Sequence, residues 1–158
     1  MNVRARHRTY YFITFINDYS RYDHIYLISH ESKALSYFKT FMNLVENQLN
    51  RRIKALRTDH SHEYLSEDFK TLCNEKGIDH QLSIPRTPQQ NGVAERRNMT
   101  LIDMVRSMMV QANLRISYWG DVLLTATYVL NYVPSKFVTT TLYKLWTDRK
   151  PNLSYLKP

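Results

Sequence analysis

Two carboxylates frame what this chain could do: Asp59 in LRTDHSHEY (56–64) and Glu95 in TPQQNGVAERRN (87–98). Asp59 follows a strand-like run over 53–56, and Glu95 sits in the first turns of a helix behind a Pro- and Gly-punctuated loop. Carboxylates on two different elements are hard oxygen ligands of the kind Mg²⁺ takes, with positions left open for water and phosphate. A pair of such ions could clamp the attacking and leaving oxygens of a phosphodiester in line. Spacing alone is weak evidence, because surface carboxylates are ordinary. Asp59, His60 and His62 form a rival zinc set, against the plainer reading of both histidines as solvated loop residues.

These residues need elements to hold them. TYYFITFI (9–16) and HIYLIS (24–29) predict two strands joined by the turn NDYSRY as a hairpin. Ser32 is a plausible N-cap for a helix to about Gln48, with Leu35, Phe38, Phe41, Met42 and Val45 as its apolar positions. RRIKALRTD runs from strand into loop. SEDFKTLCNEKG predicts a helix with Ser66 as N-cap and Gly77 as its stop. A short strand over 78–84 precedes the loop PRTPQQNG. A long helix follows from near Gly92 to about Ala112, with Val93, Leu101, Met104, Val105 and Met108 on one side and Asn91 as a candidate N-cap. A last helix spans roughly Ser117 to Asn131, and the tail from Pro134 shows little pattern beyond the LW of KLWTDRKP. The order β-β-α-β-α-β-α-α predicts an α/β fold, a mixed sheet flanked by helices. Residues 1–133 are expected to form the core and 134–158 a loosely packed extension. MVRSMMV, Trp119 and Trp146 read as packing residues.

Composition narrows the function classes. The formal charge of +8 and 43% hydrophobic content over 158 residues describe a basic globular chain, and phosphate neutralisation drives such chains onto polyanions. The alternative is simply a basic surface. Twelve tyrosines could stack on bases, although most belong in a core or a strand. The single cysteine, Cys73, excludes an internal disulfide and a Cys-rich zinc module. VLLTATYVLNYV (122–133) is too short and too polar to span a bilayer, and YYFITFI is too short for a signal peptide. A soluble intracellular protein without a membrane partner is the expectation.

The stretch YYFITFINDYSRY, the spacing from TDxxxEY to TPQQNGVAERRN, and the later RSMM, YW, LNYVPSK and LW...KP elements resemble a copia-type retrotransposon integrase core over nearly the whole chain. The resemblance implies a ribonuclease H-like fold and a DDE polynucleotidyl-transferase reaction. In that reaction three acids hold two Mg²⁺ or Mn²⁺ ions while water or a DNA 3′-hydroxyl attacks a phosphodiester, with no covalent enzyme intermediate. By motif position Asp59 corresponds to the second acid and Glu95 to the third, both catalytic and metal-binding. DNA, as element ends and target, is the implied partner. Homo-oligomers and a nuclear site of action are also implied. Lys54, Arg57, Arg96 and Arg97 are candidate phosphate contacts, against a reading as solvated charges. Tyr64, Gln89, Gln90, Asn91 and Asn98 are further candidate DNA contacts, Tyr64 with packing as its rival role and Asn98 one turn beyond Glu95.

Two departures stand against that pattern. The family's first aspartate lies on a strand ahead of YYFITFI, whereas this chain opens NVRARHRTYYF, so that central strand and its acid are expected to be missing. Asp18 belongs to the hairpin turn and is no substitute. Ser61 and His62 also stand where the family has two glycines, which would allow positive φ and close approach to DNA. The expectation is an incomplete catalytic core whose sheet has two edges facing a gap. Its rivals are a non-catalytic nucleic-acid-binding domain and a relic without function. Poor stability of the isolated chain follows from the open edges, and a cooperative melt at ordinary temperature would count against it.

Overall fold

The computed structural model describes residues 4–6, 8–83, 88–134 and 139–154, with the side chains of 88–91 excepted. Its strands are β1 (Tyr11–Ile16), β2 (Asp23–Ile28), β3 (Ala55–Thr58) and β4 (Asp79–Leu82). Its helices are α1 (Ala34–Leu49), α2 (His62–Leu65), α3 (Glu67–Lys76), α4 (Pro88–Gln111), α5 (Trp119–Tyr132) and α6 (Leu142–Thr147). β1 pairs with β2 and β3 with β4, as two two-stranded sheets. The sequence predicts a mixed sheet lacking its central strand, and among the described residues no strand joins the two ladders. The chain divides into two compact units, Met1–Leu27 with Asn98–Pro158, and Ile28–Arg97.

In the first unit β1 buries Ile13 and Phe15 on one face and leaves Phe12, Thr14 and Ile16 of the other face half-buried, the period-two pattern of a strand, while Tyr11 at its start is exposed. The turn to β2 is organised by Asn17, whose Oδ1 accepts from the Ser20 N–H at 2.8 Å and from Ser20 Oγ at 2.9 Å. Arg21 takes the left-handed conformation there, with φ 62°. Asn131 of α5 clips the start of β2: the Asp23 N–H donates to its Oδ1 at 3.0 Å, and its Nδ2 donates to the Asp23 carbonyl at 2.8 Å. The apolar core joins Ala5, Leu101, Val105, Trp119, Val122, Leu123 and Ala126. Trp119 is buried there, the packing role its sequence context indicated.

α6 has no counterpart among the helices read from the sequence. Thr141 caps it by accepting from the Lys144 N–H at 3.0 Å, and Asp148 ends it at φ 58°. The helix brings Trp146 flat against Tyr22, with centroids 4.5 Å apart and planes 8° apart, and stacks Tyr143 on Tyr132 at 4.6 Å. His24 meets the edge of this stack, 4.8 Å from Trp146 and 5.0 Å from Tyr22.

The second unit packs α1 on α3. Ala34, Phe38, Met42 and Val45 form the buried stripe of α1 at helical spacing. Ser32 is not its N-cap. It lies inside a 3₁₀ turn over Glu31–Lys33, and the hydroxyl of Ser36 returns to the Lys33 carbonyl instead. α3 starts and stops where its residues indicate: Ser66 Oγ accepts from the Phe69 N–H at 3.3 Å, and Gly77 turns left-handed at φ 66°. Phe69, fully buried, stands 5.3 Å from the Phe38 ring. Cys73 is buried beside it in α3, and burial raises its thiol pKa.

α4 begins at Pro88, about a turn earlier than the expected start near Gly92. Proline is suited to the first helical position, where its missing N–H has no acceptor to lose. Asn91 is therefore inside the helix and is not its N-cap.

Two measurements test these cores. Phe69→Ala is expected to lower unfolding free energy by about 3–5 kcal/mol in urea titrations, while Tyr19→Ala, at a side chain 81% exposed, leaves it nearly unchanged. Burial holds the pKa of His24 down to about 4 from 6.5. The unfolded chain therefore binds the extra proton first, so stability is full above pH 6.5 and falls as pH drops towards 4. The loss amounts to roughly 3 kcal/mol, and His24→Phe should flatten that slope.

Candidate active site

Asp59 owes its position to the residue before it. Thr58 ends β3, which runs parallel to β4 in the register Ala55↔Asp79 to Thr58↔Leu82. α2 and α3 form the crossover that a parallel pair requires. The Thr58 carbonyl accepts from the Ser83 N–H at 2.9 Å and from Ser83 Oγ at 3.1 Å. Its hydroxyl lies 2.8 Å from His80 Nε2 and donates to the Asp59 carbonyl at 3.1 Å. Thr58 and Ser83 are buried, so these bonds are shielded from competing water.

Past this anchor the chain emerges into solvent. The Asp59 carboxylate is exposed, and its Oδ1 accepts from the Ser61 N–H at 3.0 Å, closing an Asx turn into α2. Ser61 is extended at φ −66°, and among the described non-glycine residues positive φ occurs only at Arg8, Arg21, Asn50, Asn113 and Asp148. The left-handed geometry that a glycine pair would permit is thus not used at Ser61 or His62. Tyr64 follows on α2, half-buried and edge-on to Phe69 at 5.2 Å and 88°. Burial raises its hydroxyl pKa most, and the charges of Asp59 and Glu63 raise it further. The phenol is therefore a neutral donor beside the Asp59 carboxylate, and a packing residue as well.

The other candidates fall into distinct settings. Glu95 is exposed on the early turns of α4. Arg96 folds back along the helix, its Nε donating to the Gly92 carbonyl at 2.7 Å. Arg97 is half-buried, and Asn98 holds its Oδ1 buried without a hydrogen-bond partner among the described residues. Lys54 is exposed, while its carbonyl accepts from the Asp79 N–H at 2.8 Å to open the parallel ladder. Arg57 is exposed and reaches Gln81 Oε1 at 3.4 Å across the sheet. The side chains of Gln89, Gln90 and Asn91 lie outside the described residues, as do 84–87 altogether. Asp18 is ion-paired with Arg21 at 2.6 Å in the hairpin turn, the role its turn context indicated.

Two positioning residues were not singled out in the sequence, His80 and Ser83. The available signal was a histidine on the inward alternation of IDHQLSI, which needs a polar partner once buried. Burial lowers the His80 pKa, against the opposing charge of Asp79. Among the described residues, no three His, Cys, Asp or Glu side chains gather closely enough to hold a metal. The zinc reading of Asp59, His60 and His62 therefore has no geometric support there. Asp59 and Glu95 remain as exposed carboxylates of the right donor chemistry for a hard divalent cation.

The architecture defines the class first. A chain of the simian T-cell lymphotropic virus intasome, solved with the PP2A regulatory subunit B56 gamma, superposes with a TM-score of 0.71 at 20% identity, over 99% of this chain and 53% of that one. The HTLV-2 integrase catalytic core in complex with magnesium, in its trimeric form, gives 0.63 at 18% identity, over 84% of this chain and 81% of that one. At such identities the likeness establishes the fold, the ribonuclease H-like integrase core. The family follows from sequence: residues 1–88 match the integrase core domain model, and the chain belongs to that family. It is 38% identical over 158 residues to the retrovirus-related Pol polyprotein from transposon TNT 1-94 of Nicotiana tabacum, and 28% over 149 residues to that from transposon RE2 of Arabidopsis thaliana. These matches support the copia-type assignment. The alignments take in 99% and 93% of this chain but only 12% and 10% of those polyproteins.

The His80 arrangement makes a checkable prediction. The Asp79 charge favours the protonated imidazole, so Asp79→Asn should lower the His80 pKa further. Titration followed by NMR reads this directly, and an unchanged or raised value would contradict the arrangement.

Proposed function

We propose that this chain acts on DNA as the core of a transposon integrase, with Asp59 and Glu95 supplying carboxylate oxygens to Mg²⁺ or Mn²⁺. The observation that carries the reading is the fixed delivery of Asp59: a buried, fully bonded Thr58 presents an exposed carboxylate at the end of a parallel strand. The Asp59 and Glu95 carboxylates would hold such an ion, which would supply polarisation of a phosphodiester and a lowered pKa for its bound water. Glu95 brings the second carboxylate from α4, ahead of Arg96 and Arg97. Lys54, Arg57, Arg96 and Arg97 supply positive charge for the phosphate backbone, Tyr64 a neutral hydroxyl donor, and Gln89, Gln90, Asn91 and Asn98 amide groups.

Two carboxylates do not make the three-acid set that the reaction class uses. Residues 1–17 contain no acidic side chain, and Asp18 is engaged with Arg21. The proposal for this chain is therefore metal and DNA binding through Asp59 and Glu95. A multimeric state and action in the nucleus belong to the same proposal. Support for multimers comes from the related structures, an intasome and a trimeric integrase core. No helix among the described residues is long and apolar enough to cross a membrane.

Calorimetric titration with Mn²⁺ tests the carboxylate pair. Asp59→Asn and Glu95→Gln should each weaken binding by roughly tenfold or more, as expected when one of few charged ligands is lost. Equal Mn²⁺ affinity in the parent chain and both variants would sink the metal assignment. Salt-sensitive DNA binding together with that result would favour the non-catalytic binding module.

A further inference from the structure

The unit that lacks Asp59 and Glu95 carries a surface the proposed chemistry does not use. Arg4–Arg6 and Arg8–Thr9 are tied in a tight turn: the Arg8 N–H donates to the Ala5 carbonyl at 3.0 Å and the Ala5 N–H to the Thr9 carbonyl at 2.8 Å. Arg8 sits at φ 59°. The turn is docked. Ala5 is 4% exposed in the core with Trp119, and its Cβ lies 3.3 Å from where a Cβ on Gly120 would stand. The Arg6 N–H donates to the Ser117 carbonyl at 3.0 Å, and the Arg6 guanidinium lies 4.6 Å above the Tyr118 ring.

The docked turn and the 3₁₀ turn it rests on both carry exposed arginines. Arg4, Arg6 and Arg8 are all exposed, and Arg115, also exposed, begins the 3₁₀ turn over Ile116–Tyr118 against which Arg6 rests. None of the four is ion-paired among the described residues. Neither contributing segment holds an acid, since residues 1–17 and 104–120 contain no Asp or Glu. Tyr10 and Tyr11 emerge from the turn 38% and 45% exposed, with ring centroids 6.5 Å apart.

We infer that Arg4, Arg6, Arg8 and Arg115 form a second DNA-contact surface that grips the phosphate backbone, with Tyr10 and Tyr11 offering faces for unstacked bases. The chemistry selects this partner. Guanidinium forks pair bidentately with phosphate oxygens, and all four cations are arginines. Exposed aromatic rings beside them suit nucleic acid, because every base presents a π-face. Four exposed cations on segments without an acidic residue add positive charge that a polyanion can neutralise. The inference rests on the reading of this chain as DNA-binding, but it does not depend on the metal ligands.

The test uses the whole chain without divalent metal. Fluorescence anisotropy with a labelled DNA duplex across salt concentrations compares the parent chain, the triple variant Arg4→Gln/Arg6→Gln/Arg8→Gln, and a charge-matched control, Lys33→Gln/Lys39→Gln/Lys76→Gln. The triple variant should bind at least about tenfold more weakly near 0.1 M salt and lose about 0.9 of the log–log salt slope per arginine removed. The control should shift much less. Because the variant could misfold, duplex DNA is also tested for protecting Arg4, Arg6, Arg8 and Arg115 of the parent chain from an arginine-selective dicarbonyl reagent, read by mass spectrometry. Matching slopes in variant and control, absence of protection, or no DNA binding by the parent chain would each overturn the inference. The Mn²⁺ titration reports separately on Asp59 and Glu95.

Discussion

The candidate site depends on four residues of parallel pairing. β3 is short, and β4 is its only strand partner among the described residues. A parallel pair this small has little stability of its own, because isolated two-stranded structures are marginal in water. What holds it is the layer beneath. Phe69 lies under His80 at 5.2 Å and against Phe38 at 5.3 Å, so the helices α1 and α3 support the ladder from below. The same aromatic layer meets Tyr64. The chain on both sides of Asp59 is therefore tied to one packed cluster: Thr58 through His80, and α2 through Tyr64. An exposed carboxylate keeps a defined place when its flanking residues are anchored and it is not.

The other unit solves its packing problem with polar and aromatic clips. The paired bonds of Asn131 to the backbone of Asp23 join positions far apart in sequence at a buried site. Two satisfied hydrogen bonds offset the desolvation of that amide and fix the register of the contact, which apolar packing alone leaves loose. The stack of Trp146 on Tyr22 covers the start of the same strand. His24 is neutral at its edge because charging it there would strip the imidazolium of water.

Much of this was legible in the sequence, and the failures have physical causes. Ser66 and Gly77 bracket α3 as their chemistry dictates, since a cap and a left-handed stop are local properties. The stripe of Phe38, Met42 and Val45 is visible because a helix repeats. α6 was missed because its six residues are too short for periodicity, and its stability comes from aromatic partners distant in sequence. Asn91 misled because asparagine suits both a cap and a first turn, while Pro88 three residues earlier decides the start. Motif position offers Asp59 and Glu95 as candidates. His80 and Ser83, which hold Thr58, could not, because their role exists only once β3 and β4 are paired.

The departure at Ser61 and His62 takes on a different meaning in the folded chain. Read as sequence, two residues replacing glycines suggest lost function, because left-handed backbone costs a side chain about 1 kcal/mol or more. Here the segment takes another path. Ser61 is extended, its N–H closes the Asx turn on Asp59, and His62 opens α2 with ordinary helical geometry. The substitution thus carries no backbone strain, and one acceptor of the Asp59 carboxylate is already directed by its own loop. The other Asp59 carboxylate oxygen carries no hydrogen bond among those described. The difference from the glycine pattern therefore lies in the backbone path of this loop, and not in whether Asp59 is presented.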